Sequence, residues 1–305
     1  MTKDMQDSVL IAGSGAMACL FAARLSEAGV PVIMLGSWKE GVEALQNRGV
    51  TLVNEDGSQK TFPVKAISNP EECRNIINAL VLVKSWQTKR TARQLGRCLS
   101  ADGVALTLQN GLGNREILAR ELGEARVAIG ITTMGAHLVA AGAVKMAGEG
   151  IITLNEQPRL GSIHELLNKA GFMVERSSNL ESLLWGKLVI NAAINPLTAI
   201  FEITNGALLE NPYTRRAMKE IVEETVSIAE AKGVLLPFGD ALAAVETVAY
   251  RTADNCSSML QDIQRGAPTE IDAICGAIIR EAESLGMDAP INRLLWQLVK
   301  AKVEL

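Results

Sequence analysis

Histidine is almost missing from this 305-residue chain, and so is tyrosine, with two copies of each. With only His137 and His164 to assist, and with Cys19, Cys73, Cys98, Cys256 and Cys275 never spaced as a CxxC pair, the sequence offers no zinc pattern and no disulfide framework. No metal is expected. The odd number of cysteines fits a reducing compartment. A dominant charge is lacking too: 30 Lys and Arg stand against 34 Asp and Glu, a net charge of −4. That excludes the concentrated basic surface of a nucleic-acid binder and gives no attraction to an anionic membrane. The first residues, Met-Thr-Lys-Asp-Met-Gln-Asp, are too polar and acidic for a signal peptide, so a cytoplasmic location is expected.

Long apolar runs are rare, and one stretch, Leu183 to Phe201, invites a membrane reading. It contains Lys187, Asn191, Asn195 and Pro196, and a charge near the middle of a spanning helix is costly. A buried helix of a soluble protein is the better assignment. Hydrophobic residues at 48% and charged residues at 21% place the chain among globular proteins.

The first half alternates short apolar runs with amphipathic segments. Ser8–Ala12, Val32–Leu35, Ala79–Val83, Val104–Leu108 and Val127–Ile131 read as buried strands, with helical spacing near 16–28, 38–47, 87–98 and 114–122. This predicts a largely parallel sheet wrapped by helices. A hairpin turning at Asn54-Glu-Asp-Gly57 interrupts it, and β-like runs at 143–154 and 172–175 extend it. Beyond about residue 178 the segments 180–202, 211–233, 238–263, 269–285 and 290–303 have helical periodicity. The expected architecture is therefore α/β, with a Rossmann-type doubly wound sheet over residues 1–178 and an all-helical C-terminal domain over 179–305.

The strand Ser8–Ala12 runs into Gly13-Ser14-Gly15-Ala16-Met17-Ala18 and then an apolar helix. Gly13 permits the tight turn, Gly15 lets a pyrophosphate approach the backbone, and Ala18 keeps helix and strand close, while the helix N-terminus offers free N–H groups. A GxGxxG-like string alone is weak; strand before and helix after are its confirming context. The second strand ends Met34-Leu-Gly-Ser-Trp-Lys39, without the acid that usually holds NAD ribose hydroxyls. That permits NADP, with Ser37 and Lys39 as phosphate contacts; a Lys39 that merely faces solvent is an equal reading.

Lys187, Asn191 and Asn195 are spaced i, i+4, i+8, which places them on one stripe of a helix that is otherwise Leu, Val, Ile and Ala. An ammonium and two amides on so apolar a helix must face partners, a cavity or a ligand. The alternative has Lys187 snorkelling to the surface and the asparagines capping neighbouring helices. Reducing a ketone by hydride leaves charge on its oxygen, and a desolvated lysine of lowered pKa is a competent proton donor there.

The strings Trp185-Gly-Lys-Leu-Val-Ile-Asn-Ala-Ala-Ile-Asn-Pro-Leu-Thr-Ala-Ile and Ser257-Ser-Met-Leu-Gln-Asp-Ile, followed by Gly266, Thr269-Glu-Ile-Asp and Gly276, resemble the ketopantoate reductase family over nearly the whole chain. The resemblance implies an NADP(H)-dependent enzyme that reduces 2-dehydropantoate to (R)-pantoate for pantothenate and coenzyme A synthesis. It also implies a C-terminal domain like that of 6-phosphogluconate dehydrogenase. By resemblance Lys187 is the proton donor, Asn191, Asn195, Asn205 and Ser258 hold the substrate, and Glu270 is an acid where substrate meets nicotinamide ribose. Lys84, Asn110 and Ala136 match cofactor contacts, beside Gly13 to Ala18. Read without the resemblance, Lys84 and Asn110 follow strands at the sheet's carboxyl edge, and Glu270 is a first-turn helix acid. Two positions depart from the family: Gly36 stands where an arginine commonly meets the 2′-phosphate, and Gly148–Asn155 lacks a glycine at its end. The implied partner is a small 2-keto acid, and a homodimer is compatible with the reading. A different branched 2-keto acid, or a dinucleotide-binding redox sensor without turnover, are the competing functions.

Overall fold

The computed structural model describes residues 8–304, so the signal-peptide reading of the first residues lies outside the described residues. The chain divides into two units. One comprises Met1–Val83, Gln87–Gln109 and Asn114–Leu180; the other gathers Lys84–Trp86, Asn110–Gly113 and Glu181–Leu305.

Among its described residues the first unit carries twelve strands: β1 (Val9–Ala12), β2 (Val32–Leu35), β3 (Val50–Val53), β4 (Gln59–Phe62), β5 (Lys65–Ile67), β6 (Ile76–Val81), β7 (Leu99–Thr107), β8 (Val127–Thr132), β9 (Gly135–Ala140), β10 (Ala143–Gly148), β11 (Ile151–Asn155) and β12 (Met173–Ser177). Between them run α1 (Ala16–Glu27), α2 (Lys39–Arg48), α3 (Thr88–Cys98), α4 (Asn114–Leu122) and α5 (Gly161–Lys169). Eight strands form one sheet in the order β12-β11-β8-β7-β6-β1-β2-β5. All pairs from β5 to β8 are parallel, and β11 adds antiparallel to β8. This is the Rossmann-type sheet expected from the alternation.

Parallel strands covered on both faces must be apolar throughout, and β1 shows why its run has no polar alternation. Val9 and Ile11 pack with Phe21 and Leu25 of α1, while Leu10 joins Ala92 and Leu95 of α3 on the opposite face. Strand order reverses between β1 and β6, with β2 and β5 to one side and β7 and β8 to the other. Open α/β sheets bind ligands at the carboxyl ends of strands at such a reversal.

The hairpin forms at the expected turn, with Asn54 N–H donating to Ser58 O over 2.9 Å. It does not interrupt the main sheet, however. β3 and β4 join β10 and β9 in a separate four-stranded sheet, order β4-β3-β10-β9. The run 143–154 is thus shared: β10 enters the small sheet and β11 the large one, and β9 was not anticipated. Alternation marks a strand but says nothing of which sheet it joins.

The second unit contains no strand among its described residues. Its helices are α6 (Leu180–Phe201), α7 (Ala207–Glu210), α8 (Pro212–Ala231), α9 (Ala241–Arg251), α10 (Ser258–Gln264), α11 (Cys275–Ser284) and α12 (Pro290–Glu304). α6 is long and apolar enough to cross a membrane by length and composition, yet 67% of its apolar window is buried within the fold. Trp185, Leu188, Val189 and Ala192 of α6 pack with Met218, Ile221 and Val222 of α8 and Ile278 of α11.

Two expected helices are corrected. The segment 238–263 is broken, because Ser257 Oγ accepts from Leu260 N–H over 3.1 Å and starts a new helix, while Asn255 O accepts Asn205 N–H over 3.0 Å. The segment 269–285 becomes helical only at Cys275. Residues Thr269–Ile274 form a turn in which Ala273 and Ile274 both donate to Glu270 O, over 3.0 and 3.1 Å. Glu270 is therefore not a first-turn helix acid.

Candidate active site

In the first unit, Gly13 leaves β1 at φ +137°, and a Cβ there would lie 3.1 Å from Leu82 O and 3.2 Å from Ala18 Cβ. The turn has room and backbone freedom only for glycine. Gly15 caps α1 and faces open space; no side chain caps the helix and no acid occupies its first turn. Ser14 and Ala18 are buried, while Ala16 and Met17 are half-buried. An uncapped N-terminus beside a missing Cβ suits a pyrophosphate. Ala136 lies on β9, opposite Met146, in the small sheet.

Gly36, where the resemblance implied an arginine, has little room for a side chain. A Cβ on Gly36 would approach Ser14 Oγ and Val42 Cγ2 to 2.8 Å each. Any side chain there would push on the glycine turn itself. Ser37 is exposed, and Lys39 is exposed with Glu43 Oε1 3.9 Å away.

The exits of β6 and β7 are held together within the same unit. Gln109 Nε2 donates to Val83 O over 2.9 Å and to Thr88 Oγ1 over 2.8 Å. Thr88 Oγ1 in turn donates to Asn114 Oδ1 over 2.9 Å. Lys84 and Asn110 each follow directly on a residue of this network.

In the second unit these two side chains meet Glu270. Its Oε1 accepts Ser85 N–H over 2.9 Å, its Oε2 accepts Asn110 Nδ2 over 3.2 Å, and Lys84 Nζ stands 3.8 Å from Oε2. Lys84 Nζ donates more closely, over 2.7 Å, to Asp262 Oδ2. Asp262 and Glu270 are each 5% exposed. Burial works against the Lys84 charge, but Glu270 and Asp262 outweigh it and hold the ammonium above its ordinary pKa. Burial also raises Asp262, with Lys84 opposing. Backbone contact fixes the arrangement: Leu112 N–H donates to Ala273 O over 2.9 Å, and Gly111, at φ +78°, passes so close that a Cβ would sit on that oxygen.

Lys187 lies on α6 with Asn191 and Asn195 one and two turns on. The residue is half-buried. Burial of its ammonium lowers the pKa to about 8, with the charge of Glu270 acting in the opposite direction. Thr198 Oγ1 lies 3.0 Å from Asn195 O and 2.7 Å from Ser257 Oγ, within hydrogen-bond reach of both, tying this stripe to the start of α10, where Ser258 is the first residue. Asn205, past the end of α6, donates from Nδ2 to Thr252 Oγ1 over 2.8 Å, and its buried Oδ1 has no hydrogen-bond partner.

The structure thus groups Lys84, Asn110 and Glu270, links Lys187 to them through charge, and joins the Asn195 turn to Ser258. Asp262 was not singled out from the sequence, although it lies one helical turn after Ser258 in a string already noted. Gln109 was likewise passed over beside Asn110. Among the described residues no group of three or more His, Cys, Asp and Glu could hold a metal ion.

Residues 9–159 match the family model "Ketopantoate reductase PanE/ApbA", and residues 179–303 match that of its C-terminal part. The 2-dehydropantoate 2-reductase of Archaeoglobus fulgidus is 36% identical, over 96% of both chains. The chain belongs to the ketopantoate reductase family. This is an oxidoreductase family, as the resemblance of the sequence strings implied. A second relative of that name, from Pyrococcus horikoshii, is 35% identical over 97% of this chain and 98% of its own. The crystal structure of a PanE/ApbA family ketopantoate reductase from Ralstonia eutropha superimposes with a TM-score of 0.90 at 31% identity, covering 97% of this chain and 98% of that one.

Proposed function

We propose that this chain reduces 2-dehydropantoate to (R)-pantoate with NADPH, as a cytoplasmic enzyme of pantothenate and coenzyme A synthesis. Residues 1–178 hold the cofactor and 179–305 the substrate. The observation that carries the reading is Lys187, an ammonium whose pKa burial brings down to about 8 on a stripe with two amides. At neutral pH such a group is charged and yet able to release its proton.

Bound at the Gly13–Ala18 turn, the dinucleotide supplies the hydride. Gly15 and the uncapped start of α1 hold its pyrophosphate. Gly36, Ser37 and Trp38, which directly follow β2, carry no acid that would repel a 2′-phosphate, and Ser37 and Lys39 are exposed. Ala136 contributes a further contact. Lys84 and Asn110 contact the cofactor while holding Glu270 in place. Asn191, Asn195, Asn205 and Ser258 bind the keto acid; the unpaired Oδ1 of Asn205 is a hydrogen-bond acceptor suited to a substrate hydroxyl. Lys187 donates its proton to the carbonyl oxygen as charge builds there, and Glu270 stabilises the charged lysine beforehand.

The deciding experiment is an absorbance assay of cofactor oxidation with 2-dehydropantoate and 2-ketoisovalerate, each run with NADPH and with NADH. The reading requires the highest kcat/KM for 2-dehydropantoate with NADPH. A preference for 2-ketoisovalerate, which lacks the terminal hydroxyl, would reassign the substrate. Tight cofactor binding without turnover across a keto-acid panel would leave a dinucleotide-binding sensor.

A further inference from the structure

Two buried thiols take no part in the site described above. Cys73 and Cys98 are 25 positions apart, yet their sulfurs are 3.0 Å from one another. Cys73 follows the short turn Pro70–Glu72 that leads into β6, and Cys98 is the last residue of α3. Both sulfurs also approach Pro70 O, at 3.4 Å from Cys73 and 3.3 Å from Cys98. The same two segments are joined on the surface by Arg97 Nη1 and Glu71 Oε1, 3.7 Å apart. The pair is therefore held from the backbone side and from the solvent side. Cys73 and Cys98 are 0% and 1% exposed, so only a very small reagent reaches them without local opening.

We infer that Cys73 and Cys98 form an oxidation site, closing to a disulfide when the protein meets a hydroperoxide. The Cys73 thiolate attacks one peroxide oxygen, the O–O bond breaks, and the departing oxygen leaves as water after taking up a proton. Cys98, deprotonated in turn, attacks the resulting sulfenic acid; the S–S bond forms and the second oxygen leaves as water. Two thiols are oxidised by two electrons and one hydrogen peroxide is reduced to two waters. Cys73 is the attacking sulfur: its hydrogen bond with Cys98 favours the thiolate, burial opposes this, and the charge of Lys65 adds to it, leaving the pKa below the ordinary value. Cys98 is held the other way by the same hydrogen bond and by burial, as befits the resolving thiol.

The bond would close a loop containing β6, the Lys84 connection and α3. Both sulfurs lie at the amino edge of β6, whereas Lys84 follows its carboxyl end. The crosslink thus restrains the unfolded chain without reaching the residues that hold Glu270.

The test treats the full chain with dilute hydrogen peroxide, unfolds it in N-ethylmaleimide, digests it without reduction and maps the peptides by mass spectrometry. The expected product joins the Cys73 and Cys98 peptides and disappears with dithiothreitol. The melting temperature should rise by about 5–10 °C on oxidation of the wild type and of Cys256→Ala, and not of Cys73→Ala. Recovery of both cysteines alkylated, under conditions that oxidise Cys256, would overturn the inference. So would a crosslink of either to another cysteine. Peptide mapping of the wild type decides the matter even where a cysteine variant fails to fold.

Discussion

Lys84 Nζ and Asp262 Oδ2 lie 2.7 Å apart, although 178 positions of sequence separate them. The pair joins the Lys84–Trp86 segment to α10, and Glu270 Oε2 stands 3.8 Å from the same ammonium. Two acids thus share Lys84 while Glu270 also acts on Lys187, so the two positive and two negative charges compensate each other in a setting from which water is largely withdrawn.

Replacing Lys84 with methionine leaves Asp262 and Glu270 without their near cation. A pair broken at full burial costs about 3–5 kcal/mol, and the partial exposure of Lys84 reduces this to about 1–3 kcal/mol. Without the lysine, Asp262 is raised further above its unfolded pKa, so the folded state binds the proton more tightly than the unfolded state. The deficit should be largest at neutral pH and shrink as the pH falls into the range where folded Asp262 takes up its proton, read from urea midpoints along a pH series.

Lys187→Ala should lower kcat for 2-dehydropantoate by about 10²–10⁴ while the chain still folds. Steady-state kinetics and thermal melts of the same preparation check this. A variant with near-normal turnover would remove Lys187 from the chemistry.

The reaction needs protonated Lys187, so the rate of reduction should hold at neutral pH and decline as pH rises through about 8. Glu270 favours the charged lysine. Glu270→Gln should therefore move the decline to lower pH, in addition to slowing the reaction. An unchanged alkaline limb in the residual activity of this variant would show that the two groups do not interact.

Gly111→Ala places a methyl group on Ala273 O in a left-handed backbone conformation. Both effects oppose folding, and a loss of about 2–4 kcal/mol is expected in chemical denaturation. Because Leu112 and Ala273 share a hydrogen bond in the turn that carries Glu270, KM and kcat should both worsen in whatever protein remains folded.

Gly36→Arg introduces the residue that the resemblance implied at this position. Here its Cβ would meet Ser14 and Val42 at 2.8 Å, so the substitution should cost about 1–3 kcal/mol and raise, not lower, KM for NADPH. Melting temperature and cofactor titration distinguish this from a simple gain of a phosphate contact.

Much of this was legible along the chain because the signals are local. The turn at Gly13 and Gly15 rests on the backbone freedom of glycine, and the stripe of Lys187, Asn191 and Asn195 rests on the helical repeat; neither needs a distant partner. The inner strands β1 and β2 of the large sheet are continuous apolar runs, buried at every position.

Tertiary structure decided the rest, because those features depend on groups far apart in sequence. Asp262 becomes the partner of Lys84 only when α10 is placed, and Gln109 grips Val83 only when β6 and β7 pair. The helices expected over 238–263 and 269–285 break at Ser257 and begin at Cys275 because backbone groups there bond to Asn205 and Glu270, a preference that periodicity cannot register. A residue's own turn or strand is written in its neighbours; its charge partner is written wherever the fold brings the second group.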